Sequence, residues 1–171
     1  MRRAKVLSDI TLGQDGYASG GYFGNVEVDG TIYAGTQQQY FFRNTSMNNF
    51  VKGGWNFVFL GCDGAPESHC NGDNGAVPAT KIEQTPLIAE KPYITIDSSD
   101  KYYLKRPKYK TDTQSIDWDD GADVFDFSQV YVASDADTAA VINAKLAEGL
   151  HVVLQPGRYN LEDSLKVSGQ G

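Results

Sequence analysis

The chain has 171 residues, enough for one domain that buries about two-thirds of its unfolded surface. Hydrophobic residues make up 40% and charged residues 22%, with 18 Gly, 10 Tyr and 8 Phe, a composition too aromatic for a solvated tail or linker. The 15 Lys and Arg against 22 Asp and Glu leave a net charge of -7, which disfavours the basic face of a phosphate-backbone binder, and no stretch approaches the roughly 18 consecutive apolar residues of a membrane span. Nucleic acid and membrane are therefore not the expected partners. The start Met1-Arg2-Arg3-Ala4-Lys5 leads into a polar, strand-like sequence, so no signal peptide is expected in this chain.

Short alternating or apolar runs rich in aromatic and β-branched residues recur between Gly, Asn and Asp turns, and these predict strands. They fall at 25–29, 31–34, 39–43, 56–60, 87–89, 93–97, 102–104, 130–133, 152–154, 159–161 and 165–167. The central ones near Val26, Phe41 and Phe57 follow one another at about fifteen residues, too far for a tight hairpin and too close for a helical crossover. That spacing suits the coils of a β-solenoid, whose stacked strands bury alternate side chains and leave an outward row as a binding face.

The two cysteines bracket Cys62-Asp63-Gly64-Ala65-Pro66-Glu67-Ser68-His69-Cys70. A disulfide between Cys62 and Cys70 is the first reading, and it would imply folding in an oxidising compartment. Free thiols come second and a metal third, because zinc ligands come as close pairs such as CxxC and no second pair exists. Asn44-Thr45-Ser46 has the N-glycosylation pattern, which is too short to carry weight. The charged, Tyr-rich run 101–120 has the composition of an exposed connector. A helix is predicted over 135–148, with Ser134 and Asp137 as a capping box, an apolar face that includes Ile142 and Leu146, and Gly149 at the left-handed C-terminal position.

Strict alternation through 35–43 places Gln37, Gln39 and Phe41 on one side and Gln38, Tyr40 and Phe42 on the other. Outward glutamines beside Tyr33, Tyr40 or Trp55 make a sugar platform, because amides bond hydroxyls in both directions and aromatic faces stack on sugar rings. The competing reading is an amide ladder between coils. Hydrolysis of a glycoside needs two carboxyls, and the acids here are not paired in a telling way. Glu27 and Asp29 share a strand face, Asp63 and Glu67 sit in the cysteine loop, and Asp117, Asp119 and Asp120 cluster near the end of the charged run. Neither His69 nor His151 has a Ser or Cys nucleophile placed beside it by motif.

The string Asp137-Thr138-Ala139-Ala140-Val141-Ile142-Asn143-Ala144, followed by Val152-Val153-Leu154-Gln155-Pro156-Gly157-Arg158-Tyr159, resembles the opening of pectate-lyase-like right-handed parallel β-helices. With Gly35-Thr36-Gln37-Gln38-Gln39-Tyr40-Phe41-Phe42-Arg43-Asn44, Gly54-Trp55-Asn56-Phe57-Val58-Phe59-Leu60-Gly61 and Thr85-Pro86-Leu87-Ile88, the chain is similar to secreted fungal and bacterial double β-helix proteins related to exo-β-1,3-glucanases. Some of that group carry the name adenylyl cyclase, but no paired metal-binding acids in a cyclase setting and no phosphate cradle occur here. The resemblance implies an all-β fold with one capping helix, an active site between two solenoids, and amides such as Gln37 and Gln39 holding the attacking water.

A helix that normally opens a β-helix comes late in this chain, so the resemblance implies a junction: terminal coils of a first solenoid over 1–62, a connector over 63–128, and the start of a second over 129–171. The expected substrate-binding residues are Gln37, Gln39, Tyr33, Tyr40 and Trp55. The catalytic acid and base are not identifiable, and no cofactor or metal is expected. The expected function is polysaccharide hydrolysis, with a β-glucan as substrate, by a secreted parent protein of which this is a fragment, inactive by itself. The alternative is a non-catalytic glycan-binding or assembly solenoid, with self-association or further chains of the parent covering open coil edges.

Overall fold

The computed structural model describes residues 1–70, 78–118 and 121–168. Its strands are β1 Arg2–Val6, β2 Ile10–Thr11, β3 Ala18–Ser19, β4 Tyr22–Tyr33, β5 Gln37–Gln38, β6 Tyr40–Arg43, β7 Ser46–Val51 and β8 Phe57–Leu60. These are followed by β9 Ala79–Ile82, β10 Thr85–Ile88, β11 Tyr93–Ile96, β12 Tyr102–Arg106, β13 Lys110–Thr113, β14 Asp123–Asp126, β15 Val130–Ala133 and β16 His151–Leu154, with helix α1 at Ala139–Ala147. The chain divides into two compact units, Met1–Ala89 with Tyr109–Asp120, and Glu90–Lys108 with Gly121–Gly171.

In the first unit β1, β4, β6, β8 and β9 lie side by side in that order, every pair parallel. Partners are 22 residues apart from β1 to β4 (Ala4 opposite Val26), 19 from β4 to β6 (Phe23 opposite Phe42), 17 from β6 to β8 (Phe42 opposite Phe59) and 22 from β8 to β9 (Phe59 opposite Lys81). A chain that returns to parallel register at such intervals without a helix is a parallel β-solenoid. The coils are longer than the hydrophobic centres suggest, because each also turns polar corners.

In-register stacking brings identical side chains together. Phe42 lies flat on Phe59 at 4.8 Å and 9°, Phe23 meets Phe42 edge-on at 5.4 Å, and Phe50 packs edge-on against Phe42, Phe57 and Phe59. Val26, Val28 and Ile32 of β4 complete this core. Lys81 continues the phenylalanine row, and its Nζ reaches Glu67 at 2.7 Å and Glu83 at 3.2 Å.

Two columns of left-handed residues turn the corners. Arg3, Asn25, Asn44 and Gly61, with φ of 45°, 57°, 47° and 59°, form one, and Gly20, Gln39 and Asn56, with φ of 79°, 54° and 64°, form the other. Asparagine and glycine tolerate this conformation better than most residues. The first column is roofed by residues 110–118. Asn25 Nδ2 donates to Asp117 O at 2.6 Å and its Oδ1 accepts from Asp117 N at 2.8 Å, while Trp118 Nε1 donates to Asn25 O. Asn44 Nδ2 donates to Thr113 Oγ1 and Ser115 O, both at 3.0 Å, and its Oδ1 accepts from Thr85 Oγ1 at 2.8 Å. β13 pairs antiparallel with β10 alongside. Residues 109–118, within the run read as an exposed connector, thus form a strap on the solenoid, and Asn44, 2% exposed, is buried within the sequon-like triplet.

In the second unit β11, β12 and β14 form an antiparallel sheet, and β15 pairs in parallel with β16. Helix α1 buries Ala139 and Ile142. It is shorter than the predicted 135–148, and its N-cap is Thr138, which accepts from Val141 N at 3.3 Å. The Ser134–Asp137 pair forms one turn earlier, where Asp137 Oδ2 accepts from Ser134 N at 2.8 Å. At the other end Gly149, φ 82°, closes the helix, with Gly149 N bonded to Leu146 O and Leu150 N to Lys145 O.

The strands predicted at 159–161 and 165–167 do not form. Side chains hold that segment instead: Tyr159 Oη donates to Ala133 O at 2.9 Å, Glu162 accepts from Ala139 N and Ala140 N, and Asn143 bonds Ser164 O and Lys166 N. Polar partners on α1 and β15 take the place of a ladder.

Candidate functional site

Beside the second corner column the coils pass close together. A Cβ on Gly53 would sit 2.0 Å from Gly35 O, so only glycine lets the third coil approach the second here. Gly54 N then donates to Gln37 O at 3.3 Å and Gln39 N to Trp55 O at 2.9 Å, which sets Trp55 beside the glutamines. Trp55 is 54% exposed. It opens onto a groove of about 670 Å³ lined by Trp55, Asn56, Phe57 and Val58 on one coil, Ser68, His69 and Cys70 on the return, and Pro78, Ala79 and Thr80 on the next.

The return is fixed by backbone bonds. His69 N donates to Ala79 O at 3.0 Å and Ala79 N to His69 O at 3.1 Å, while Ser68 Oγ accepts from Lys81 N at 2.8 Å. Among the described residues no carboxylate lines the groove. Glu67, one residue outside it, is paired with Lys81, whose ammonium is held charged to higher pH by Glu67 and Glu83.

The five sequence candidates separate. Gln37 is buried, and its Nε2 donates to Gly20 O at 3.0 Å and Gln38 O at 2.7 Å, the behaviour of an amide ladder. Gln39 is exposed and accepts from Ser19 Oγ. The two do not share an outward face, because the left-handed backbone at Gln39 turns a corner and resets the alternation. Tyr40 points inward, edge-on to Phe23 at 5.4 Å and 4.8 Å from Phe42, and burial raises its hydroxyl pKa above the usual phenol value. Tyr33 is 38% exposed at the far end of β4. Gln39 and Trp55 are the pair brought together.

Cys62 and Cys70 are both free thiols, so the expected bridge is not formed. Cys62 faces the core with its Sγ 3.6 Å from Leu60 O, whereas Cys70 is exposed at the groove. With the bridge goes the inference of an oxidising compartment drawn from it. Among the described residues no three of His, Cys, Asp and Glu come together as a metal site. Glu27 and Asp29 both bind Lys5, at 3.0 and 3.1 Å, and Asp117 pairs with Lys110. Asp63 joins Thr45 and Met47 through its backbone, and His151 lies 4.1 Å from the Phe125 ring. Asp119 and Asp120 lie outside the described residues.

Fold and groove together define a parallel β-solenoid with an aromatic, amide- and hydroxyl-bearing recess. The chain is 33% identical over 171 residues to an exo-beta-1,3-glucanase of Streptomyces sp. (strain SirexAA-E / ActE), a match taking in 97% of this chain and 27% of that protein. It is also similar to the solved structure of sacteLam55A from Streptomyces sp. SirexAA-E, with a TM-score of 0.85 and 33% identity over 94% of this chain and 29% of that one. A variant of sacteLam55A in complex with glucose matches with a TM-score of 0.86. The chain spans less than a third of the length of these relatives, and no protein-family model matches it. It is a segment related to part of a glucan hydrolase.

Proposed function

We propose that this chain is a glycan-binding segment of an extracellular β-1,3-glucan hydrolase, holding the sugar chain at Trp55 and leaving proton transfer to residues of the longer protein. The observation that carries this is the exposed Trp55, flanked by Gln39 and Asn56 and facing Ser68, His69 and Thr80, in a segment related to an exo-β-1,3-glucanase. A flat ring stacks on the apolar face of a sugar while amides and hydroxyls bond its rim. Gln39 is also the glutamine suited to position a water. Amides do not titrate, so neither it nor Asn56 supplies the proton that a leaving alcohol needs.

The reading extends to a junction: the coils of the first unit close one β-helix, and β15, α1 and β16 open another of the pectate-lyase-like kind. A non-catalytic glycan-binding solenoid is the second reading, favoured by a groove whose described lining is aromatic, amide and hydroxyl rather than carboxylate. Incubating the 171-residue chain with laminarin and measuring both retention and released reducing sugar tests the proposal. Retention without release, lost in Trp55→Ala, is expected; release by this chain that disappears in Glu67→Ala or Asp63→Ala would overturn it. Hydrolysis by the longer protein would exclude the second reading.

A further inference from the structure

The column Phe23, Phe42, Phe59 ends on a lysine. Lys81 stands opposite Phe59 in the register of β8 and β9, and its side chain is only 15% exposed. An ammonium with so little access to water requires a counter-charge. Glu83, two residues on in the same stretch of chain, lies 3.2 Å from Nζ. Nearer still, at 2.7 Å, is Glu67, which comes 14 residues earlier, immediately before the Ser68–Cys70 wall of the groove. The main chain of Lys81 grips the first residue of that wall: its N–H donates to Ser68 Oγ at 2.8 Å, and its carbonyl accepts from the same hydroxyl at 3.4 Å. One residue thus holds Glu67 by its side chain and Ser68 by its backbone. Lys81 itself is not among the groove-lining residues, while Ala79 and Thr80, just before it in β9, are.

We propose that Lys81 is a positioning residue of the glycan site, which through Glu67 and Ser68 keeps the Ser68–Cys70 wall where it can share a sugar with Trp55. The proposal rests on the glycan-binding reading of the groove and adds what holds its wall. The ion pair is open to solvent on one side, since the Glu67 side chain is 84% exposed, so dissolved salt weakens it. A β-1,3-glucan carries no charge for salt to screen. Binding of a neutral ligand that nonetheless weakens with salt is therefore the signature of a wall held by charge.

Calorimetric titration of the 171-residue chain with laminarin oligosaccharides at about 0.01 M and about 1 M sodium chloride, where the Debye length is about 30 Å and about 3 Å, tests this. The unmodified chain is expected to bind roughly two- to fivefold more weakly at high salt. Lys81→Met and Glu67→Gln should both bind more weakly than the unmodified chain at low salt and lose the salt dependence. Glu83→Gln leaves the Glu67 contact in place and should keep both. If Lys81 serves only to neutralise the end of the core, Glu67→Gln and Glu83→Gln lower the urea midpoint alike and each binds like the unmodified chain at both salts. That result overturns the proposal, and it does so even where Lys81→Met fails to fold. Trp55→Ala tests the glycan reading separately. Binding that is absent from the unmodified chain, or unaltered by Trp55→Ala, removes that reading; binding lost in Trp55→Ala but unchanged in Glu67→Gln removes only the role of Lys81.

Discussion

Cys62 and Cys70 are eight positions apart in sequence and chemically opposite in the structure. Burial pushes the Cys62 thiol up to about 11, with smaller opposing contributions from its hydrogen-bond partners Thr45 and Leu60. At pH 8 an alkylating agent should modify Cys70 alone, Cys62 reacting only in denaturant, as mass spectrometry of the labelled chain will show. Because Cys70 lines the groove, the modified chain should also bind glucan more weakly. The same burial has a pH consequence: a folded pKa above the unfolded value of 9.0 gives stability that is complete below pH 9 and lost as pH rises towards 11, readable as a falling urea midpoint. Asn44 carries a heavier structural load, since its amide serves Thr85, Thr113 and Ser115 from a left-handed position. Asn44→Ala should cost about 2–4 kcal/mol in urea denaturation, through unsatisfied partners and backbone strain together. Asn44→Gly keeps the backbone and should recover part of that loss. None of this was legible beforehand, because the column Arg3, Asn25, Asn44, Gly61 has intervals of 22, 19 and 17 residues and no fixed period reveals it.

At the scale of elements, α1 was legible through its apolar face and Gly149, while its start was not. Ser134 and Asp137 do form a capping pair, but the helix begins after them, at Thr138, and its first free N–H groups are met by Glu162 from 23 residues further on. Local patterns cannot report so distant a partner. Ile142 is fully buried and Leu146 only partly, so Ile142→Ala should cost about 2–5 kcal/mol and Leu146→Ala clearly less, by denaturation monitored in the far ultraviolet. Backbone N–H groups of Glu162 itself, Ala139 and Ala140 hold the Glu162 carboxyl below its ordinary value. A depressed folded pKa means stability present above the unfolded value of 4.5 and lost as pH falls. Glu162→Gln should therefore flatten the acid limb of the unfolding profile and leave the alkaline limb alone. The inner strands were readable where aromatic and β-branched residues cluster, as at β4, β6, β8 and β15. β1, β7, β9 and β13 were missed because they carry Lys, Asn or Asp, which interrupt the aromatic and β-branched pattern of a strand.

At the scale of the whole molecule, the solenoid was legible because Phe41 and Phe57 sit in recurring apolar runs, and of the residues read as a sugar platform Trp55 is the one that lines the groove. Gln37 misled because alternation assumes an unbroken strand. The ladder has two ends among the described strands, β1 and β9, each with a single strand partner along the stack. They are protected differently. The outer side of β9 is met by His69, paired with Ala79, and by Ser68, which takes the Lys81 N–H. Among the described residues β1 has no such return; Arg2 and Arg3 place positive charge along it, while Lys5 is paired with Glu27 and Asp29. Gly24 N donates to Met1 O, so in a parallel ladder the N–H group of Arg2 faces away from β4, towards any incoming strand. Two such edges repel at low ionic strength and are screened as the Debye length shrinks from about 10 Å at 0.1 M salt to about 3 Å at 1 M. Sedimentation velocity should therefore show association strengthening with salt. At low salt, an equimolar mixture of the chain with its Arg2→Glu variant should associate more strongly than the unmodified chain does with itself, because opposite charges then face each other across the edge. Association that is indifferent to salt and to this mixing would mean that charge on β1 does not guard an adhesive edge.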